Sequence, residues 1–329
     1  MATAFQTVFS WLQFLVLAYI CAKAIRVLQF CLLYSSDLSQ YKSPSGQSWA
    51  LVTGASDGIG KAFARDLCRR GFNVIIHGRN EQKLLGVAAE LEKAYPNREV
   101  RLLVLDAVAV PWTEETDRTV LDAVDELDLT ILINNVGGAG GVHPTWATVA
   151  QRSAWDLDAH INLNARFMTQ ITRVLIPVLA RGWGRGTTND QPQRQRAAIV
   201  NISSGAELLP APYLVVYSAA KAYVSRWSIS LDAELQGEGL NIDVHSLIVG
   251  AVATPGGGHD ESAKGLFCPD ADTFARKALP KLGCGHVVCT PYWPHGLQVA
   301  FGTCLPAWLG AKMMRDVAMK AMARAEKEQ

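Results

Sequence analysis

Residues 49–60 read WALVTGASDGIG, and the organisation of the whole chain follows from how that stretch is read. Its first part, Trp49–Thr53, is an uncharged apolar run, short enough for a strand buried on both faces. Its second part sets Gly54, Gly58 and Gly60 among Ala55, Ser56, Asp57 and Ile59. A strand that runs into glycines and then into an amphipathic segment is a strand–turn–helix unit. One glycine permits the tight turn, one lets backbone approach a ligand, and one lets the helix press against the sheet. The helix N-terminus adds unpaired N–H groups and partial positive charge, which suit a phosphate. Gly54, Ser56, Asp57, Gly58, Ile59 and Gly60 are therefore candidate ligands of a pyrophosphate.

Downstream, short apolar runs alternate with helix-like stretches. Strands are expected at Trp49–Thr53, Asn73–His77, Arg101–Leu105, Leu129–Asn134, Ala198–Ile202 and Ile242–Ile248. Helices are expected at Ile59–Arg70, Glu81–Ala94, Glu114–Asp125, Ala154–Ala180 and Val216–Leu235. Continuous apolar strands with helices between them mean a parallel sheet covered on both faces. The fold class is α/β, a doubly wound parallel-sheet Rossmann fold with an N-terminal transmembrane helix. Residues 36–48, with Pro44 and Gly46, read as a polar linker. Residues 183–196 (WGRGTTNDQPQRQR) read as a solvent-exposed insertion loop.

The transmembrane reading rests on Thr3–Ala22, a run without a charge that is about as long as a bilayer-spanning helix. Gln6 and Gln13 interrupt its apolar character. A cleaved signal peptide fits poorly, because no basic segment precedes the run and no small-residue cleavage site follows it. Lys23 and Arg26 lie just beyond it, which by the positive-inside rule keeps the bulk of the chain cytosolic. The apolar Val27–Tyr34 is too short to span; it either lies at the interface or extends the first helix.

Apolar residues make up 49% of the 329 and charged residues 19%, so a large core is available and wholesale disorder is excluded. The net charge of +1, with acids and bases mixed, is not the footprint of a nucleic-acid binder. The seven cysteines are irregularly spaced and fit free thiols better than a disulfide framework. Cys284, His286 and Cys289 match no common zinc spacing, so no metal is expected.

The second expected strand ends His77-Gly78-Arg79-Asn80. An acidic residue at such a strand end would serve the ribose hydroxyls of NAD. Here Arg79 follows a neutral Gly78, and a guanidinium suits the 2′-phosphate of NADP. Asp106, just after the third strand, sits where such folds hydrogen-bond adenine. Asn135, in Asn134-Asn135-Val136-Gly137 at the end of the fourth strand, either lies beside the nicotinamide ribose or stabilises the turn.

Tyr217 and Lys221 stand at i and i+4, on one face of a helix. A phenol next to an ammonium and an oxidised nicotinamide is expected to have its pKa pulled toward neutrality. It can then protonate a carbonyl oxygen as hydride reaches the carbon. Ser204 ends a β-branched strand thirteen residues earlier and can hydrogen-bond the same oxygen.

The TGxxxGxG turn, Asn134-Asn135-x-Gly137, Ser204 and Tyr217-x-x-x-Lys221 together resemble the short-chain dehydrogenase/reductase family, over roughly Trp49 to Thr254. The resemblance implies an asparagine that holds a water linking the lysine to solvent. Asn164 matches better by its distance from Ile176-Pro177, and Asn162 is the alternative. It also implies that Tyr217 and Lys221 touch the cofactor, and that a Pro-Gly-x-Val-x-Thr loop grips the nicotinamide carboxamide. Here that loop reads Val249-Gly250-Ala251-Val252-Ala253-Thr254, with Val252 and Thr254 retained and the proline missing.

Within that family the chain resembles the microsomal very-long-chain 3-oxoacyl-CoA reductases, a 17β-hydroxysteroid dehydrogenase-like branch. The N-terminal anchor, Asn201-Ile202-Ser203-Ser204-Gly205 and above all Thr290-Pro291-Tyr292-Trp293-Pro294-His295 carry this resemblance. The departures are the 183–196 loop, the Gly137–Gly141 stretch and a C-terminus without a dilysine signal. The resemblance implies NADPH-dependent reduction of a long-chain 3-oxoacyl-CoA at the endoplasmic reticulum membrane, with membrane lipid and other elongase components as partners. A hydroxysteroid or retinoid dehydrogenase and a non-catalytic NADP-binding scaffold are the competing readings. The expected organisation is an anchor at 1–35, a linker at 36–48, a cofactor-binding and catalytic domain at 49–284 and a membrane-proximal segment at 285–329. In the last, Gly296–Gly310 and the basic stretch with Lys312, Arg315, Lys320 and Arg324 are either interfacial or packed on the core.

Overall fold

The computed structural model describes residues 2–109, 111–139, 142–181, 196–254 and 263–325. Its strands are β1 (Ser48–Val52), β2 (Asn73–Gly78), β3 (Val100–Val104), β4 (Asp128–Asn134), β5 (Ala197–Ser204), β6 (Ile242–Val249) and β7 (Val288–Cys289). They form one sheet in the order β3-β2-β1-β4-β5-β6-β7, every pair parallel. The order reverses between β1 and β4, which opens a crevice at the carboxyl ends of those strands.

The helices are α1 (Ala2–Leu33), α2 (Gly58–Arg69), α3 (Glu81–Ala94), α4 (Glu114–Ala123), α5 (Ala154–Ile161), α6 (Phe167–Ala180), α7 (Val215–Gly237), α8 (Ala271–Ala278), α9 (Trp293–Gly302) and α10 (Ala307–Ala325). Successive strand residues face opposite sides of the sheet. Ala50, Val52, Val74, Ile76, Ile131 and Ile133 pack with Phe63, Leu84 and Phe274 of α2, α3 and α8. Trp49, Leu51, Ile75 and Leu132 pack with Val120, Phe167, Ile171 and Leu231 of α4, α6 and α7. Both faces are covered, which is why the strands read as unbroken apolar runs.

The six expected strands and four of the five expected helices lie within two residues of the observed ends. Side-chain caps set several of those ends. Asp57 caps α2, Asn80 accepts from the Lys83 amide at the start of α3, and Thr113 caps α4. The helix expected at 154–180 is instead two helices joined by a π turn, Asn162–Arg166. Strand β7 spans only two residues, too short for any periodicity to announce it. Of the expected loop at 183–196, only Arg196 lies within the described residues. It pairs with Asp243 and Gln40 instead of extending into solvent.

Helix α1 continues through Val27–Tyr34 as far as Leu33, and Phe9–Leu33 is long and apolar enough to cross a membrane. Its last turns rest on the catalytic unit. Val27 sits so close to Gly296 of α9 that a Cβ there would lie 2.4 Å from Val27 Cγ1. Lys23 Nζ donates to Thr303 Oγ1 at 3.1 Å. The buried Lys281 ammonium donates to the carbonyls of Phe30 (3.1 Å), Cys31 (2.8 Å) and Tyr34, completing the C-terminal end of the helix. Residues 36–48 are likewise folded down. Leu38 and Tyr41 are fully buried, Tyr41 donates to Asp243, and Ser43 donates to Asp128.

These contacts divide the N-terminal segment by its effect on stability. Deleting residues 2–22 should leave thermal unfolding of the remainder unchanged. Deleting through residue 35 removes all three Lys281 acceptors and should cost about 2–3 kcal/mol, the scale of hydrogen bonds to a charged group. Melting curves of the two truncations in the same detergent decide it. Equal melting temperatures would mean that α1 is a mere tether.

Candidate active site

The glycine-rich turn is shaped by backbone that only glycine accommodates. Gly54 and Gly58 have φ of +64° and +57°. A Cβ on Gly60 would lie 2.2 Å from the Gly54 carbonyl oxygen, so the first turn of α2 is pressed directly onto the end of β1. Asp57 accepts the Gly58 amide at 2.7 Å, so it shapes the helix start by capping. Asn135 fastens the turn to β4: its amide donates to Thr53 O at 3.0 Å and Gly54 O at 3.1 Å, and Thr53 Oγ1 accepts its backbone N–H at 2.9 Å. Of the two readings of Asn135, the bracing one is what the side chain does here.

His77 was not anticipated. Its Nδ1 accepts the Gly54 amide at 3.2 Å and its Nε2 faces Leu105 O at 3.1 Å, which ties the turn to β2 and to the end of β3. Complete burial holds its pKa down to about 4, so the ring is neutral with its proton on Nε2. Ser56 lies against Gly78, with its side chain 3.5 Å from where a Gly78 Cβ would be. Arg79 follows on the exposed rim. Asp106 also lies on that rim, past β3, where Oδ1 accepts the Val108 amide at 3.0 Å. On the opposite side Thr254 touches Gly58: a Cβ there would be 3.2 Å from Thr254 Cγ2. Val252 and Thr254 are both buried. Close backbone at Gly54–Gly60, an open helix end and walls from four strand ends form a cradle of the kind a dinucleotide needs.

Helix α7 presents Tyr217 and Lys221 to this crevice. Its other face, with Val216, Ala219 and Tyr223, lines an apolar hollow of about 520 Å³ on the outside of the sheet. Lys221 is buried, donates to Ile202 O at 2.9 Å and lies 5.8 Å from the centroid of the Tyr217 ring. Ser204, at the end of β5, lies near enough to the Tyr217 phenol to lower its pKa.

Burial pushes the Tyr217 pKa up, and Ser204 draws it back. At neutral pH Tyr217 therefore keeps its proton. The lowering expected beside Lys221 and an oxidised nicotinamide belongs to the cofactor-bound site. The same burial lowers Lys221 to about 8, and the negative charge of Glu207 opposes that fall. Glu207 is a second unanticipated residue. Its carboxylate accepts from Ser203 and, at 2.7 Å, from Ser225, and burial raises its pKa.

The π turn carries both asparagines. It turns Asn164 so that Oδ1 accepts the Gly138 amide at 2.8 Å and Nδ2 donates to His160 O at 3.1 Å. A Cβ on Gly137 would stand 2.8 Å from both Asn164 Oδ1 and Lys221 Nζ. The two groups thus flank Gly137, near enough for one water to bridge them. Asn164 is the asparagine beside the lysine.

The short chain dehydrogenase family model matches residues 48–264. The very-long-chain 3-oxoacyl-CoA reductase of Pyricularia oryzae is 31% identical, covering 94% of this chain and 91% of that protein. The enzyme of the same name from Aspergillus oryzae is 31% identical, covering 87% and 80%. Among solved structures, a short-chain dehydrogenase from Sphingobium yanoikuyae in complex with NADPH aligns with a TM-score of 0.60 at 25% identity, over 74% of this chain and 87% of that one. A match over that span, with the reactive groups gathered where the strand order reverses, makes this chain a member of the short-chain dehydrogenase family, a nicotinamide-dependent oxidoreductase acting on CH–OH and C=O groups.

Proposed function

We propose that the chain reduces a very-long-chain 3-oxoacyl-CoA to the (3R)-3-hydroxyacyl-CoA with NADPH, as a step of fatty-acid elongation. It would do so from the endoplasmic reticulum membrane, anchored by α1 with its catalytic unit in the cytosol. The observation that carries this reading is the alignment with the Pyricularia reductase, which spans 94% of the chain and so takes in far more than the family core. A basic residue, Arg79, at the end of β2 supports NADPH over NADH.

The cofactor, when bound, supplies hydride to the carbonyl carbon. Tyr217 holds its proton, which its raised pKa favours, and would donate it to the oxygen as that oxygen gains charge. Ser204 hydrogen-bonds and orients the same oxygen. Lys221 would hold the ribose hydroxyls and return a proton to Tyr217, and Asn164 would position the water that connects Lys221 to solvent. Gly54, Ser56, Gly58, Ile59 and Gly60 would receive the pyrophosphate, Asp57 shapes that turn, and Asp106 would lie on the adenine side. Val252 and Thr254 would face the carboxamide.

The test is kcat/KM for a saturated 3-oxoacyl-CoA series, a steroid ketone and a retinoid, at fixed detergent and with NADPH or NADH. Activity should rise with acyl length, since each methylene withdrawn from water contributes about 0.8 kcal/mol. Arg79→Ala should weaken NADPH and leave NADH unchanged. A steroid or retinoid turned over about tenfold better than the best acyl-CoA, or a wild-type preference for NADH, would overturn the reading.

A pH experiment tests the lysine. Glu207 supports the charge of Lys221, so Glu207→Gln should lower the lysine pKa further below its ordinary value. The alkaline limb of kcat/KM, where Lys221 loses its proton, should then move to lower pH. A limb that stays in place would show that Glu207 does not set that charge.

A further inference from the structure

The loop after β6 lacks the proline of its relatives' pattern, yet it is rigidly held, and the group that holds it comes from the far end of the chain. His295, near the start of α9, is 1% exposed and lies beneath Gly250 and Ala251. Its Nδ1 accepts the Gly250 amide at 3.1 Å, and its Nε2 stands 3.0 Å from Ala251 O. A carbonyl oxygen only accepts, so Nε2 carries the proton and the ring is the neutral tautomer. Burial lowers its pKa, which keeps it so. The two bonds hold consecutive residues and so fix the intervening peptide. The ring is itself fixed by Tyr292, edge-on at 4.9 Å, and Phe274 at 6.0 Å. Gly250 is required for this fit, because a Cβ there would lie 2.7 Å from His295 Cδ2.

The held peptide leads directly to Val252 and Thr254, and Thr254 rests against Gly58 of the glycine-rich turn. One residue beyond His295, Gly296 packs on Val27 of α1. The Thr290–His295 block thus has a physical task that its sequence alone does not disclose.

We infer that His295 is the positioning residue for the nicotinamide half of the cofactor site, clamping Gly250–Ala251 so that Val252 and Thr254 are held at the carboxamide. The inference rests on the cofactor site proposed above and concerns only the nicotinamide half of it.

The experiment uses the full chain in detergent and compares two probes, NADPH and 2′,5′-ADP, which lacks the nicotinamide. His295→Phe keeps a ring and removes both hydrogen bonds. It should weaken NADPH about tenfold and lower kcat, the scale expected for two neutral bonds, while 2′,5′-ADP binds within about twofold of wild type. His295→Asn keeps an acceptor for the Gly250 amide and should recover part of the loss. Equal weakening of both probes would reduce His295 to a general packing residue and overturn the inference. So would unchanged NADPH affinity, or an asparagine variant no better than phenylalanine. Failure of wild-type protein to bind either probe would instead reject the cofactor site itself, and the inference with it.

Discussion

Replacing Tyr217 by phenylalanine is expected to lower kcat by about two to four orders of magnitude, the usual contribution of a positioned general acid. NADPH affinity should change little. The ring that lies 5.8 Å from Lys221 Nζ remains, and the ammonium keeps its bond to Ile202 O. What disappears is the phenolic oxygen and its proton, beside Ser204. Ser204 can still orient a carbonyl, but a serine hydroxyl is a far weaker acid than a phenol, so it is no substitute donor. The measurement is single-turnover reduction with saturating NADPH, alongside a cofactor titration monitored by fluorescence. Retention of a tenth of the wild-type rate would remove Tyr217 from the role of acid.

Gly60→Ala should be the most damaging small substitution in the cofactor cradle. The added methyl would stand 2.2 Å from Gly54 O, 2.6 Å from Asn135 Nδ2 and 2.8 Å from the Gly54 carbonyl carbon. Two of those atoms are backbone, so relief requires the start of α2 to back away from β1. Both Asn135 bonds to the turn would then stretch or break, and the amides proposed to receive the pyrophosphate would move with the helix. Overpacking of this kind costs about 1–3 kcal/mol of stability. The loss of NADPH affinity should exceed about a hundredfold, since the phosphate contacts depend on backbone placed by that close approach. Gly86→Ala is the control. It lies on the exposed side of α3, where an added Cβ meets nothing within 4 Å, and should be neutral or stabilising by up to about 1 kcal/mol. If Gly60→Ala bound NADPH within about threefold of wild type, the cradle would not depend on that contact.

Much of this molecule was legible before folding. Helix α3 was read at its observed ends, where the structure shows Asn80 as the cap and Leu84, Val87, Ala88 and Leu91 as the buried apolar face. Tyr217 and Lys221 were legible as a pair, since four residues along a helix is a fixed geometric relation. Gly54, Gly58 and Gly60 were legible because a missing side chain is itself the signal. The helix read across 154–180 was less well served. Apolar spacing continues through Asn162–Arg166, and nothing in it marks the shift of hydrogen bonding that makes the π turn.

By itself, then, the sequence determined what depends on near neighbours. That covers the alternation of strands and helices, most of their ends, the glycine turn, the reactive pair on one helix face and the apolar N-terminal helix. Tertiary structure alone decided what depends on residues far apart in the chain. It set Asn164 beside Lys221, used Asn135 to brace the turn, brought Glu207 toward Lys221, seated Lys281 beneath α1 and placed His295 under Gly250. It also set the burial that raises the Tyr217 pKa. Periodicity reports which way a side chain points along its own element, but not what the opposite wall will be. The cost of charge depends on how much water that wall excludes, which no stretch of sequence contains.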